Sequence, residues 1–98
     1  MDIKVATITH AEAVPKTDKL LKLQLDVAGE ERTVVSGIAQ HYKPEDIIGK
    51  QVSLLANLAP RKLRGVVSQG MILMAEDSDG KLSFVAPDVA VASGSVIS

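Results

Sequence analysis

Apolar and polar residues alternate along three stretches of the chain, residues 21–27, 51–58 and 81–84. This period of two predicts β-strands with one buried and one solvated face. Two short apolar runs, residues 33–35 and 71–74, do not alternate and lie close to glycines. They are too short for helices, so they predict inner strands of the same sheet.

A first strand begins at Ile3, but the strongly apolar Ile8 has the opposite parity. We expect a β-bulge or a change of face to bend this strand, as a small barrel requires. One stretch is helical in pattern, residues 42–49. Pro44 suits the first turn of that helix, and Gly49 suits the position just beyond its end.

The order of these elements predicts an all-β OB-fold, a five-stranded Greek-key barrel with a short helix between strands 3 and 4. The 98 residues correspond to one domain. We expect a core of about residues 3–76 and a C-terminal strand extension of about residues 77–98. Because the apolar residues of that extension find few partners in a completed barrel, its edge is expected to pair with a second copy in a homodimer.

No enzyme motif has the spacing that its chemistry needs. Gly65 stands one position too far from Ser68 for a nucleophile elbow, and Gln51 breaks the P-loop pattern. The chain has no cysteine, and its two histidines, His10 and His41, are far apart in sequence. We therefore expect no catalytic residue, no metal site and no cofactor.

No apolar run approaches the length of about 18 residues that spans a membrane, and no secretion signal opens the sequence. We expect a cytoplasmic protein without a membrane partner.

The net charge of −1 conceals an uneven distribution: residues 47–75 contain four cations and no acid. Three of those cations fall within residues 61–64, on a loop that links two predicted strands. Arginine offers a planar fork of donors that matches phosphate oxygens, and lysine a movable point charge. The flanking residues Asn57, Ser68 and Gln69 can add hydrogen bonds to phosphate or ribose. The alternative is a solvated loop whose charge only keeps the chain soluble.

The low aromatic content indicates which kind of nucleic acid the chain can bind. OB-folds that bind single strands commonly stack bases on exposed aromatic rings. This chain has only Tyr42, expected beside the short helix, and Phe84, expected in the core. Folded RNA, recognised by backbone charge, 2′-hydroxyls and shape, is therefore the better match.

Several ordered motifs resemble a known family over essentially the whole chain. They are Val14-Pro15-Lys16-Thr17-Asp18-Lys19-Leu20, Arg32-Thr33-Val34-Val35-Ser36-Gly37-Ile38-Ala39, Tyr42-Lys43-Pro44-Glu45, Gly49-Lys50, the segment from Asn57 to Gly65, and Ser68-Gln69-Gly70-Met71. Together they resemble the tRNA-binding domain at the C-terminus of many methionyl-tRNA synthetases, which also occurs in free-standing tRNA-binding proteins.

The resemblance implies an OB-fold that binds tRNA near its elbow with little sequence selectivity and dimerises through its C-terminal extension. The positions matching the family's RNA contacts are Asn57, Arg61, Lys62, Arg64, Ser68, Gln69, Met71, Ser36 and Gly37. Met71 has an alternative as ordinary core, and Ser36-Gly37 as a turn into the helix. The nucleotide motifs of a synthetase are absent, so this chain is not expected to activate methionine, although its parent is expected to be a methionine–tRNA ligase.

Two other functions stay open on sequence alone. One is a chaperone-like protein of the same fold that binds extended peptides, although such relatives lack the Pro-Arg-Lys-Leu-Arg-Gly stretch of residues 60–65. The other is a protein-docking module within a synthetase assembly, with the catalytic part of the synthetase as its partner.

Overall fold

A computed structural model describes residues 2–97 as a curled antiparallel sheet with smaller hairpins attached. The elements in chain order are β1 (Ile3–Ala13), β2 (Leu21–Val27), β3 (Glu30–Ser36), α1 (Pro44–Ile47), β4 (Gln51–Leu55), β5 (Arg61–Leu63), β6 (Val66–Ser68), β7 (Met71–Ile72), β8 (Met74–Glu76) and β9 (Leu82–Phe84). The five-stranded sheet has the order β3-β2-β1-β4-β7.

The alternating pattern of β2 decides which of its faces is buried. Leu21, Leu23, Leu25 and Val27 are all buried in the core, and the polar residues between them are partly exposed. The predicted alternation fails in β4, where every residue after Gln51 is buried, Ser53 included, so both faces of this strand are covered. β4 ends at Leu55. Leu58 lies beyond the strand and is exposed, so the predicted strand was three residues too long.

The predicted bend in β1 is confirmed, since its register with β2 shifts between Ile8 and His10. The bend allows the two halves of β1 to pair with different strands. Residues 7–13 pair with β2, and residues 3–7 pair with β4. β1 is therefore the central strand of the sheet, between β2 and β4, and Ile8 is fully buried at its bend.

The two ends of the sheet approach each other and give it the curvature of an OB-type barrel. The Gln69 N–H donates to the Thr33 carbonyl across this gap at 2.7 Å. β3 pairs within the sheet only with β2, so it is an edge strand and not the inner strand predicted at residues 33–35. Residues 68–69 cover this edge. The run at residues 71–74 is not an inner strand either: β7 forms the other edge of the sheet, and β8 leaves the sheet to pair with β9.

The helix α1 is one turn long and carries Ile47, which is fully buried in the core. Gly49 follows with a φ of +91°, the left-handed conformation predicted for this residue. Its N–H donates to the Ile8 carbonyl at 2.7 Å, which attaches the end of the helix to the bend of β1. Among the described residues, no helix is long and apolar enough to cross a membrane.

The β8–β9 hairpin brings the two aromatic residues together. The rings of Tyr42 and Phe84 lie 4.6 Å apart, and the Tyr42 hydroxyl donates to the Leu82 carbonyl at 3.1 Å. Both rings are partly buried and pack against the main core, where Phe84 was predicted to lie; Tyr42 was predicted beside the short helix. Neither forms an open stacking surface.

The C-terminal extension folds back on its own barrel, contrary to the expectation that it finds few partners there. Because β2 pairs with β1 only from Thr7 onward, the first residues of β1 have a free edge. The extension occupies that edge. The Val5 N–H donates to the Ser95 carbonyl at 2.8 Å, and the Ile97 N–H donates to the Ile3 carbonyl at 2.9 Å.

Candidate nucleic-acid interface

The cationic cluster is a β-hairpin and not the irregular loop that the sequence suggested. Strands β5 and β6 pair in register, with Leu63 opposite Val66. Their turn is formed by Arg64 and Gly65, both at positive φ, +49° and +83°. Two such residues form the tight turn that matches the twist of a hairpin. Leu63, the apolar residue between the cations, is thus a strand position.

Strand geometry distributes the three cations over different faces of the hairpin, since successive side chains of a strand point to opposite sides. Arg61 shares one face with Leu63, and both line the same pocket. Lys62 lies opposite Val67 and outside that pocket. Arg64 lies in the turn at the tip. The hairpin therefore presents positive charge on both sides and at its end.

These cations are exposed and available to an anion. Within residues 2–97, the ion pairs are Lys4–Asp2, Lys22–Glu12 and Arg32–Glu30, and none of them involves the hairpin. The acid-free window of the sequence is thus matched by a hairpin whose charges have no acidic neighbour in contact. Exposed, unpaired charges of this kind contribute little to folding and are suited to binding a charged partner.

A concave pocket of about 350 Å³ lies at the base of the hairpin. It brings together five of the nine predicted site residues, which come from β3, the hairpin and β7: Ser36, Gly37, Arg61, Ser68 and Met71. The other lining residues are Val35, Ile38, Leu58, Ala59, Leu63, Gly70, Ile72, Met74 and Leu82. Asn57, Lys62, Arg64 and Gln69 are not among the residues that line it.

The surroundings of Met71, Ser36 and Gly37 bear on the alternatives that the sequence left open. Met71 is 48% exposed, so it is not an ordinary core residue. Ser36 is the last residue of β3, and Gly37 follows it on the surface. This pair both ends the strand on the way to the helix and lines the pocket.

Ser68 and Gln69 are engaged within the protein itself. Ser68 is only 4% exposed; its hydroxyl accepts from the Val35 N–H at 3.0 Å and donates to the Gly70 carbonyl at 3.1 Å. The Gln69 side-chain carbonyl accepts from the Thr33 N–H at 3.0 Å. These two residues hold the end of the hairpin on the edge of β3.

Asn57 is likewise occupied on one side, since its side-chain carbonyl accepts from the Asp2 N–H at 3.1 Å. It connects the beginning of the hairpin segment to the beginning of β1.

Sequence reasoning missed Arg32, which joins both ends of the hairpin segment to β3. Its Nη1 donates to the Ala56 carbonyl at 2.6 Å and to the Gln69 carbonyl at 3.3 Å, and its Nε contacts Glu30 at 3.0 Å. Arg32 lies outside the acid-free window and beside two acids in sequence. Nothing in the charge pattern distinguished it from a solvated strand residue.

The described residues contain no group of three or more His, Cys, Asp or Glu side chains placed to hold a metal ion. His10 and His41 are both exposed.

Residues 3–96 match the family model described as "Putative tRNA binding domain". The methionine–tRNA ligase of Cytophaga hutchinsonii is 68% identical over 97 residues, which are 99% of this chain but 14% of the ligase. The chain thus spans about one seventh of that relative's length.

Two solved structures share the fold over nearly the whole chain. A MetRS-related protein from Pyrococcus horikoshii has a TM-score of 0.91 and 41% identity, covering 98% of this chain and 88% of that one. The chaperone CsaA from Bacillus anthracis has a TM-score of 0.88 and 28% identity, covering 99% of this chain and 90% of that one.

Proposed function

The chain belongs to the family of tRNA-binding domains, and we propose that it holds folded tRNA by contacts to phosphates and by the shape of the RNA. The observation that carries this mode of binding is the β5–β6 hairpin, with Arg61, Lys62 and Arg64 exposed and free of acidic partners among the described residues. Charge on two faces and the tip of a narrow hairpin fits a groove or corner of RNA, where phosphates lie on several sides.

The other site residues take different roles in this proposal. Ser68 and Gln69 position the hairpin through their contacts with β3. Met71, Ser36 and Gly37 lie in the pocket beneath it. Asn57, which precedes β5 in the chain, adds a polar contact to the sugar-phosphate backbone.

Filter binding of folded tRNA, heat-unfolded RNA and duplex DNA across a salt series tests this mode. If the three hairpin cations each neutralise a phosphate, the log–log salt slope is about −2.7 per protomer, and affinity falls roughly fortyfold between 50 and 200 mM salt. Folded tRNA is expected to bind more tightly than the other two nucleic acids at every salt concentration.

The triple variant R61A/K62A/R64A isolates the contribution of the hairpin. We expect it to lose most tRNA binding and to flatten the salt slope while remaining folded. The matched control is K43A/K50A/K81A, which removes three exposed cations that belong to no ion pair in the described chain. If both triple variants weaken binding equally, net charge and not the hairpin determines affinity, and the proposal fails.

We also propose that two copies associate through the C-terminal extension. Although its backbone pairs with β1, the extension keeps apolar side chains on the surface, with Val89 66% exposed and Val96 71% exposed. Between the extension and the barrel lies an apolar cleft of about 340 Å³, lined by Val85, Val91 and Ile97 among others. Apolar surface of this extent on a small protein is usually covered, and a two-fold dimer covers it in the simplest way. Two hairpins on one dimer would raise the avidity for a single tRNA.

The ligase relatives suggest the setting in which the domain works. We propose that it is the appended C-terminal domain of a cytoplasmic methionine–tRNA ligase and that it helps the catalytic part to capture tRNA. Removing the domain from such a ligase is then expected to raise the KM for tRNA and to leave methionine activation unchanged. An unchanged KM for tRNA would contradict this assignment.

A further inference from the structure

The pocket beneath the hairpin combines apolar walls with a positively charged mouth. Leu63, Met71 and Leu82 are among the apolar side chains that line it, and Arg61 is the one charged residue among the described residues of the lining. Ser36 supplies a hydroxyl and Gly37 an exposed stretch of backbone. None of the lining residues within 2–97 carries a carboxylate. Phosphate contacts at the hairpin require none of these apolar walls.

We propose that this pocket receives an unstacked nucleobase of the bound RNA, an inference that rests on the proposed tRNA-binding function. Proteins read RNA largely through unpaired bases, which they hold against apolar or aromatic side chains or against the plane of an arginine. The volume of about 350 Å³ lies within the range of pockets that hold small planar ligands. Arg61 supplies a guanidinium plane, whereas the rings of Tyr42 and Phe84 pack on each other and against the core.

Charge favours a nucleobase over the apolar side chain of a peptide. A base enters together with its own phosphates, and Arg61, Lys62 and Arg64 are arranged around the same hairpin to meet them. The polar groups of Ser36 and Gly37 can meet the hydrogen-bonding edge of a base, as they cannot meet a leucine or phenylalanine side chain. A peptide would use the walls and leave the cations without partners.

The experiment compares two probes of equal charge, a short single-stranded RNA and an abasic ribose-phosphate chain of the same length. The protein carries ¹³C-labelled methionine methyl groups, of which those of Met71 and Met74 belong to residues lining the pocket. We expect the base-bearing RNA to shift both methyl resonances by its ring current and to bind at least about fivefold more tightly than the abasic chain, the low end of the range for one stacked base. The abasic chain is expected to bind weakly without the ring-current shift.

A matched pair of hairpin variants assigns the effect to the pocket. Leu63→Asn changes the face of the hairpin that lines it, and Val67→Asn changes an exposed residue that does not. We expect Leu63→Asn to remove the preference for base-bearing RNA, Val67→Asn to keep it, and both to bind the abasic chain as the parent protein does. Gly37→Leu, at a residue with no strained φ and open space at Cβ, narrows the pocket and is expected to act like Leu63→Asn even if the hairpin variant fails to fold.

Equal affinity for the two probes, with no methyl shift, would overturn the nucleobase pocket. A leucine-rich peptide that shifts the same methyl groups and displaces the RNA would assign the pocket to peptide binding and overturn it as well. Either result leaves the salt-dependent binding of whole tRNA as a separate observation. Failure of this inference is therefore distinguishable from failure of the proposed function.

Discussion

Arg32 provides a direct test of how the hairpin is held in place. Replacing it by alanine removes the donor to the Ala56 and Gln69 carbonyls at the two ends of the hairpin segment. Replacing it by lysine keeps the charge but removes the fork that reaches two carbonyls and Glu30 together. The two substitutions therefore separate charge from geometry.

The contacts allow the cost to be estimated. A hydrogen bond from a charged donor contributes about 1.5–3 kcal/mol. The bond to Ala56 is short and its acceptor lies on a buried residue, while the bond to Gln69, at 3.3 Å, is near the upper limit of length and adds less. The contact with Glu30 is exposed on the glutamate side and contributes at most about 1 kcal/mol. We expect Arg32→Ala to lower the free energy of unfolding by about 2–3 kcal/mol and Arg32→Lys by about 1 kcal/mol.

Urea unfolding measures these losses, with Glu30→Ala as the control that removes only the exposed contact and costs less than about 1 kcal/mol. In filter binding, Arg32→Lys is expected to weaken tRNA binding without changing the salt slope, because the number of phosphate contacts is unchanged but the hairpin is less well fixed. If Arg32→Lys binds tRNA as tightly as the parent protein, Arg32 does not position the hairpin. If Glu30→Ala lowers the free energy of unfolding as much as Arg32→Ala, the stability comes from the exposed ion pair and not from the bonds to the two carbonyls.

Three further predictions concern the rest of the chain. Gly70→Ala is expected to destabilise by at least about 2 kcal/mol in urea unfolding, because Gly70 has a φ of +144° and an added Cβ would lie 3.0 Å from the Leu55 carbonyl oxygen; a loss below about 0.5 kcal/mol would contradict this. Gly94→Val is expected to release the extension from the β2–β3 turn, because the added Cβ would collide with Ala28 of that turn. The release is measured as faster amide exchange at Val5, and unchanged exchange would contradict it. The double variant V89K/V96K is expected to be a folded monomer by light scattering if the extension forms the dimer interface, and a dimer that survives it places the interface elsewhere.

The secondary structure could be predicted wherever one face of a strand meets the core. The alternation in β2, the bend of β1 and the glycine after α1 all follow from local geometry and burial, and each is confirmed. The position of β3 at the edge of the sheet could not be predicted in this way. Val34 belongs to the core and Val35 is buried, although β3 is an edge strand. The backbone of Thr33 and Val35 hydrogen-bonds to the Ser68–Gln69 segment, more than thirty positions away in sequence.

The candidate site could likewise be predicted only in part from the sequence. Its charges are visible in sequence because an acid-free window is a property of composition. Its architecture is not visible, because Arg61 and Lys62 are neighbours in sequence but lie on opposite faces of a hairpin. Ser68 illustrates the converse: a hydroxyl beside a cationic cluster looks like an RNA contact, but its burial and two hydrogen bonds give it a structural role.

The hydrogen bond from the Ile97 N–H to the Ile3 carbonyl brings the two ends of the described chain to one place on the domain. A neighbouring protein fused at either end would therefore be tethered from nearly the same point and would sample nearly the same volume around the hairpin. Joining residue 97 to residue 2 through a short linker, with new ends opened in the exposed turn at Ser78-Asp79, should give a circular permutant with the same fold. Such a permutant would move the point of attachment to the β8–β9 turn without changing a residue that we propose to contact RNA.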